Sequence, residues 1–195
     1  MMSIFSRKTS EFDKTFDEAT KLSQSGRNSE AITMLNRAIQ MQDARGEAFL
    51  VLGQLYDNLG QKEKAISTYK KGISAHPDFV DNYFDLAVSY GQDISTIRNN
   101  LMDYPIGHLA ETIERSHEYL LKAAYLNDAE SKKILAQQGI RISSKDDIIA
   151  ELLKISDKRL SRRNYEEAKS IYSFILYFDK NNNLALQGLK QIGIQ

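Results

Sequence analysis

The sequence predicts an all-α protein, a solenoid of about four helical hairpins, one of them carrying an insertion, closed by a C-terminal helix. Three observations lead there. Shifting the chain by 34 residues brings small and aromatic positions into register. Glycines punctuate the segments where helices would turn. No stretch has the two-residue alternation of a half-buried strand.

The shift aligns Phe12–Arg45 with Gly46–Phe79 and then with the segment beginning at Val80. Ala19, Gly53 and Ala87 then coincide, as do Leu22, Tyr56 and Tyr90, Gly26 and Gly60, Ala31 and Ala65, Leu35 and Tyr69. In the second hairpin, Gly53 and Ala65 are small because two antiparallel helices approach closely there, and Leu52, Tyr56 and Tyr69 fill the adjoining space. Gly60 and Gln61 form the turn, since glycine accepts the left-handed backbone that ends a helix, and Pro77 stops the second helix.

The third hairpin opens faithfully with DNYFDLAVSYG and then departs, because its second helix is expected only at SHEYLLKAAYLND, residues 116–128. The insertion, about 92–107, offers Asp93 as a helix N-cap, an amphipathic run through Ile94, Ile97 and Leu101, and a break at Pro105. It reads as a small extra helix followed by an elongated second helix, so this unit spans about 80–130. Residues 129–138 read as a helix without a partner. Ser144 to Asp147 make a capping-box start for the next helix, and Tyr165, Ala168 and Tyr172 follow in the repeat's register over about 149–182. In that unit Ser156 takes the small position and Arg159 the aromatic one. A final helix, 183–193, would place Leu184, Ala185, Leu189 and Ile192 on one face to cover the last hairpin. The whole reads as a tail, 1–11, and one domain, 12–195.

The second unit, Phe49-x2-Leu52-Gly53-x2-Tyr56, then Ala65-x3-Tyr69, then Pro77, resembles the tetratricopeptide repeat column for column, with Phe49 where tryptophan is commonest. KAAYLNDAESKKILAQQG is similar to the junction of the related Sel-type repeat. The resemblance covers about 12–90, 116–130 and 149–194. It implies a right-handed superhelix whose first helices line a concave side, and a protein-binding adaptor or binding chaperone.

Composition narrows the chemistry. Lys plus Arg equals Asp plus Glu at 26 each, so no global field draws the chain to nucleic acid or anionic lipid, and neither nucleic-acid binding nor membrane insertion is expected. Cysteine is absent, which removes disulfides and thiolate catalysis and fits a reducing compartment. With no signal-peptide core at the N-terminus and no run near the roughly 18 apolar residues of a membrane span, a cytoplasmic location is expected.

No catalytic constellation is expected, so the chain reads as a non-enzyme without cofactor. The best metal candidate is residues 108–118, where His108 with Glu111 and Glu114 with His117 form i, i+3 pairs; both lie on one helix and cannot face each other across a bundle. Lys158, Arg159, Arg162 and Arg163 read as a cationic last turn that complements the helix dipole, with Glu166 and Glu167 close by to neutralise it.

A binding face is expected where inward columns recur beyond the needs of packing. Asp13, Glu47 and Asp81 stand at the second residue of each unit, beside Phe16, Leu50 and Phe84 at the fifth. Thr20, Gln54 and Val88 continue the surface one turn on, followed by Asp57. The expected ligand is a helix or extended peptide with apolar residues beside Lys or Arg. The family's carboxylate-clamp members hold acidic tails with cationic residues at these sites. Here Phe16, Thr20, Val51, Asp81 and Asp85 stand there, so an acidic tail would be repelled. The rival reading is a structural subunit of an assembly, held through the insertion and the C-terminal helix; a metal-dependent enzyme ranks third. The N-terminal Ile4, Phe5, Arg7 and Lys8 have the pattern this face would accept, so the tail is a candidate internal occupant. The partner's identity and the oligomeric state are not written in the sequence.

Overall fold

The computed structural model describes residues 10–99, 105 and 107–193. The tail carrying Ile4, Phe5, Arg7 and Lys8, with the idea that it occupies the binding face, lies outside them. Among the described residues all regular structure is helical: α1 (Glu11–Gln24), α2 (Asn28–Ala38), α3 (Gly46–Asn58), α4 (Lys62–Ala75), α5 (Val80–Asn99), α6 (His108–Tyr125), α7 (Ala129–Gln137), α8 (Lys145–Ser161), α9 (Tyr165–Phe178) and α10 (Asn183–Gln191). The chain divides into two compact units, one up to Ser89 and one from Tyr90 on, a boundary inside α5 where the sequence reading of one domain placed none.

In the first unit, α1 pairs with α2 and α3 with α4. Ser10 caps α1 through a reciprocal pair of hydrogen bonds with Asp13, which satisfies two backbone N–H groups that the helix cannot. The columns found by the shift are the core: Ala19, Ala31 and Leu35 are fully buried and pack with Leu52 and Leu55. A methyl group at Gly53 would collide with the Tyr69 ring, so the α3–α4 crossing demands glycine there.

The helix ends repeat as faithfully as the crossings. Arg27 N–H donates to the Leu22 carbonyl (2.9 Å), and Gln61 N–H donates to that of Tyr56 (2.8 Å). Between them stand Gly26 (φ 75°) and Gly60 (φ 69°), in the left-handed region. In the second unit the same bond runs from Asn164 N–H to the Arg159 carbonyl (2.9 Å), and the left-handed residue is Arg163 (φ 59°). Arg163 therefore occupies the place of Gly60.

Three sequence expectations are corrected. The insertion does not start a new helix at Asp93: α5 runs unbroken from Val80 to Asn99, because nothing after Gly91 breaks its backbone ladder before the described stretch ends. Ile97 falls where side chains are not described, and Leu101 lies outside the described residues. The helix read as unpartnered, α7, packs against α6, capped by Asp128 and with Leu135 fully buried. α10 buries Ala185 and Gly188 and lies against α9, yet Leu184 is 60% exposed. Its contact face is narrower than the sequence suggested, since Gly188 lets the backbone approach the Tyr172 ring directly.

In the second unit α8 and α9 pair, and Ser144 caps α8 with the expected reciprocal bonds to Asp147. Ser156, Ala168 and Ile171 are fully buried, so the small column holds in this degenerate hairpin as well.

Candidate functional site

The face predicted to bind is carried in the first unit by α1, α3 and the start of α5. Phe16, Leu50 and Phe84, one on each helix, are half-buried. Phe16 stacks on Phe12 with ring centroids 5.6 Å apart, so part of its surface serves the hairpin rather than a ligand. Thr20 is half-buried and donates its hydroxyl to the Phe16 carbonyl of its own helix (2.9 Å), whereas Val88 is exposed.

The acidic column is not uniform. Asp13 accepts from the Ser10 backbone (3.0 Å) and is ion-paired with Arg45. Those two contacts hold its carboxyl below the usual carboxylate range. Glu47 is half-buried and Asp81 exposed, and among the described residues neither enters an ion pair.

Asp57 is a structural link as well as a surface acid. Its Oδ2 accepts from the Tyr69 hydroxyl at 3.0 Å and from the Ser89 hydroxyl at 2.7 Å, tying α3 to α4 and to α5. Its Oδ1 is buried and, among the described residues, accepts no hydrogen bond. Gln54 is spoken for too: it donates through Nε2 to Asp85 Oδ2 at 2.7 Å. Burial, with Asp81 and Asp57 adding their negative charge, raises the Asp85 pKa despite the bond from Gln54. Asp85, already placed among the inward sites, stands in a column that reads Asp17, Val51, Asp85, and its bond from Gln54 follows from no column. Only the contact across α3 and α5 shows it.

In the second unit the charged residues singled out at 108–118 and 158–163 meet one another. Glu114, Glu118, Lys122 and Arg159 are all buried. Arg159 places Nη1 2.6 Å from Glu118 and Nε 3.3 Å from Glu167; Lys122 pairs with Glu118, and Lys158 with Glu114. Arg115 bridges Glu111 and Glu167, each at 2.7 Å. Burial works against the Glu118 carboxylate, but Lys122 and Arg159 outweigh it and hold its pKa below the usual range. The cationic turn is thus neutralised by Glu114 and Glu118 of α6 as well as by Glu167 of its own hairpin. His117 is held low by burial, partly offset by a hydrogen bond with Gln138. Among the described residues no three His, Asp or Glu are grouped as metal ligands. No described helix is long and apolar enough to cross a membrane.

Residues 22–88 match the family model of the tetratricopeptide repeat. Among curated proteins, no sequence matches this chain. Among solved structures, IFIT1 in a monomeric mutant form with m7Gppp-AAAA is 16% identical with a TM-score of 0.51, over 94% of this chain and 42% of that one. A thermophilic TPR protein of Thermus thermophilus is 17% identical with a TM-score of 0.49, over 94% of this chain and all of the other. The P58(IPK) TPR domain is 16% identical with a TM-score of 0.38, over 93% and 55% of the two chains. With the family model on residues 22–88, and small-residue crossings and left-handed turns at the matching places, this chain carries tetratricopeptide repeats over residues 22–88.

Proposed function

We propose that this protein is a non-enzymatic interaction scaffold, an adaptor or binding chaperone, that holds a peptide or helix on the α1–α3–α5 face of its first unit. What supports the reading is that Phe16, Leu50 and Phe84, one on each of α1, α3 and α5, are half-buried, and that Glu47, Asp81 and Asp85 enter no ion pair among the described residues. Apolar surface left in line is worth about 25 cal/mol per Å² to whatever covers it. Unpaired acids beside it select Lys or Arg in the partner and repel phosphate, so the ligand is polypeptide rather than nucleic acid. Asp13, Thr20, Gln54, Asp57 and Val88 complete the face, with Asp13 already shared with Arg45. The printed ligand of IFIT1 belongs to that protein, and the acidic face argues against a like role here.

The test is crosslinking mass spectrometry in cells. Partner contacts are expected on this face and to be lost in Glu47→Lys/Asp81→Lys, two surface changes that spare the core. A Phe16→Ala/Leu50→Ala/Phe84→Ala protein of unchanged circular dichroism should also lose them. Undiminished capture by both variants would overturn the reading.

A second reading, a permanent subunit of an assembly, is favoured by the exposed Tyr177, Leu184 and Leu186 at the C-terminal end. Solubility that depends on co-expression with one partner, and is restored by Leu184→Lys/Leu186→Lys, would select it.

A further inference from the structure

The first unit has a second surface of opposite charge. α2 and α4 both pack on α3, but among the described residues they do not pack closely on each other. The gap between them is a cleft of about 260 Å³. It is lined from α3 by Phe49, Leu52 and Tyr56, an i, i+3, i+7 stripe in which Phe49 and Leu52 are buried and Tyr56 is half-buried, and by the half-buried Ile39. Lys64 and Lys71 line it from α4, seven residues apart on one stripe, with the exposed Ser67 between them.

The walls differ in charge. α4 carries Lys62, Lys64, Lys70 and Lys71 against the single acid Glu63. Among the described residues Lys64 and Lys71 enter no ion pair; Lys64 donates to the Gln61 side chain at 2.8 Å and lies over the Tyr56 ring at 5.5 Å. The α2 wall is neutral where it lines the cleft: Asn36 donates its amide to the Ile32 carbonyl of its own helix (2.8 Å). A cationic wall above an apolar floor matches an acidic segment that inserts a bulky apolar side chain. The volume lies below the roughly 300–1,000 Å³ of small-molecule sites, so it suits one side chain of a chain lying across it rather than a whole cofactor. Glu63 at the mouth and the apolar floor count against a polyphosphate backbone, which needs several cations and no hydrophobic seat.

We infer that the cleft between α2 and α4 is a docking site for an acidic peptide, with Asp or Glu against Lys64 and Lys71 and an adjacent Leu, Ile or Phe against Ile39 and Tyr56. It would work independently of the acidic α1–α3–α5 face, so one hairpin pair can hold two segments of opposite charge.

The probe is a phage-displayed random dodecapeptide library panned on the full chain. Enrichment of peptides that place Asp or Glu beside a large apolar residue is expected. Their affinity should fall at least tenfold in Lys64→Glu/Lys71→Glu and in Ser67→Tyr, which fills the mouth from an exposed position, and stay unchanged in Glu47→Lys/Asp81→Lys. Absence of acidic peptides, or binding indifferent to both cleft variants, overturns the inference. So does single-stranded RNA binding that Lys64→Glu/Lys71→Glu abolishes while no peptide is enriched; the cleft would then be a phosphate surface.

Discussion

Arg159 directs Nη1 at Glu118, 2.6 Å away and buried, at the place in its hairpin where Tyr56 stands in the second one. The aromatic column of the repeat has thus been replaced in the second unit by an ion network that reaches from α8 to α6. Desolvating such charges is costly, and their mutual attraction offsets the cost only while every member is present.

Arg159→Met is therefore expected to destabilise the protein by about 3–5 kcal/mol, because it leaves the buried Glu118 with Lys122 as its one cation among the described residues. Replacing Glu118, Lys122 and Arg159 together by Leu, Met and Met removes that carboxylate with its cations, and Lys158, Arg162 and Arg115 still serve Glu114 and Glu167. Urea unfolding should show the triple variant more stable than the single. The native pair should also weaken in acid: the Glu118 pKa is depressed, so its contribution is present above the unfolded pKa and lost as pH falls through the folded one.

Arg163 holds a left-handed backbone (φ 59°), and its side chain is exposed. The left-handed conformation costs a residue with a Cβ about 1–2 kcal/mol, part of which glycine gives back as entropy of the unfolded chain. Arg163→Gly should stabilise by about 0.5–1 kcal/mol, read as a rise in the urea midpoint at unchanged slope. Gly60→Arg should do the reverse.

Asp85 has a raised pKa because it is partly buried beside Asp81 and Asp57. Between its unfolded and folded pKa values the native state binds the extra proton, so stability falls as pH rises through that window. Asp85→Asn keeps an acceptor for Gln54 and should raise Tm at neutral pH. The gain should shrink as pH is lowered and the native Asp85 takes up its proton. An equal gain at both pH values would show that charge is not the cause.

The hairpins were legible because close packing writes itself locally. Gly53 against Tyr69, Ala65 opposite, and Gly60 at the turn are each required by geometry within a few residues, and the requirement recurs with the unit. The Ser144–Asp147 cap was legible for the same reason. The unbroken course of α5 was not, since Asp93 has the chemistry of a cap and only the backbone decides whether it acts as one.

The sequence by itself determined the fold class, the repeat register and the columns from which a binding face could be drawn, because helix crossings and turns are satisfied by neighbours at fixed spacing. Which acids remain available was decided only in three dimensions. Arg45 lies far along the chain from Asp13 yet neutralises it, Ser89 and Tyr69 converge on Asp57, and Glu114 and Glu118 gather Arg159 and Lys158 into the second unit. These pairings run between helices, where distance through space decides, and no spacing along the chain encodes them.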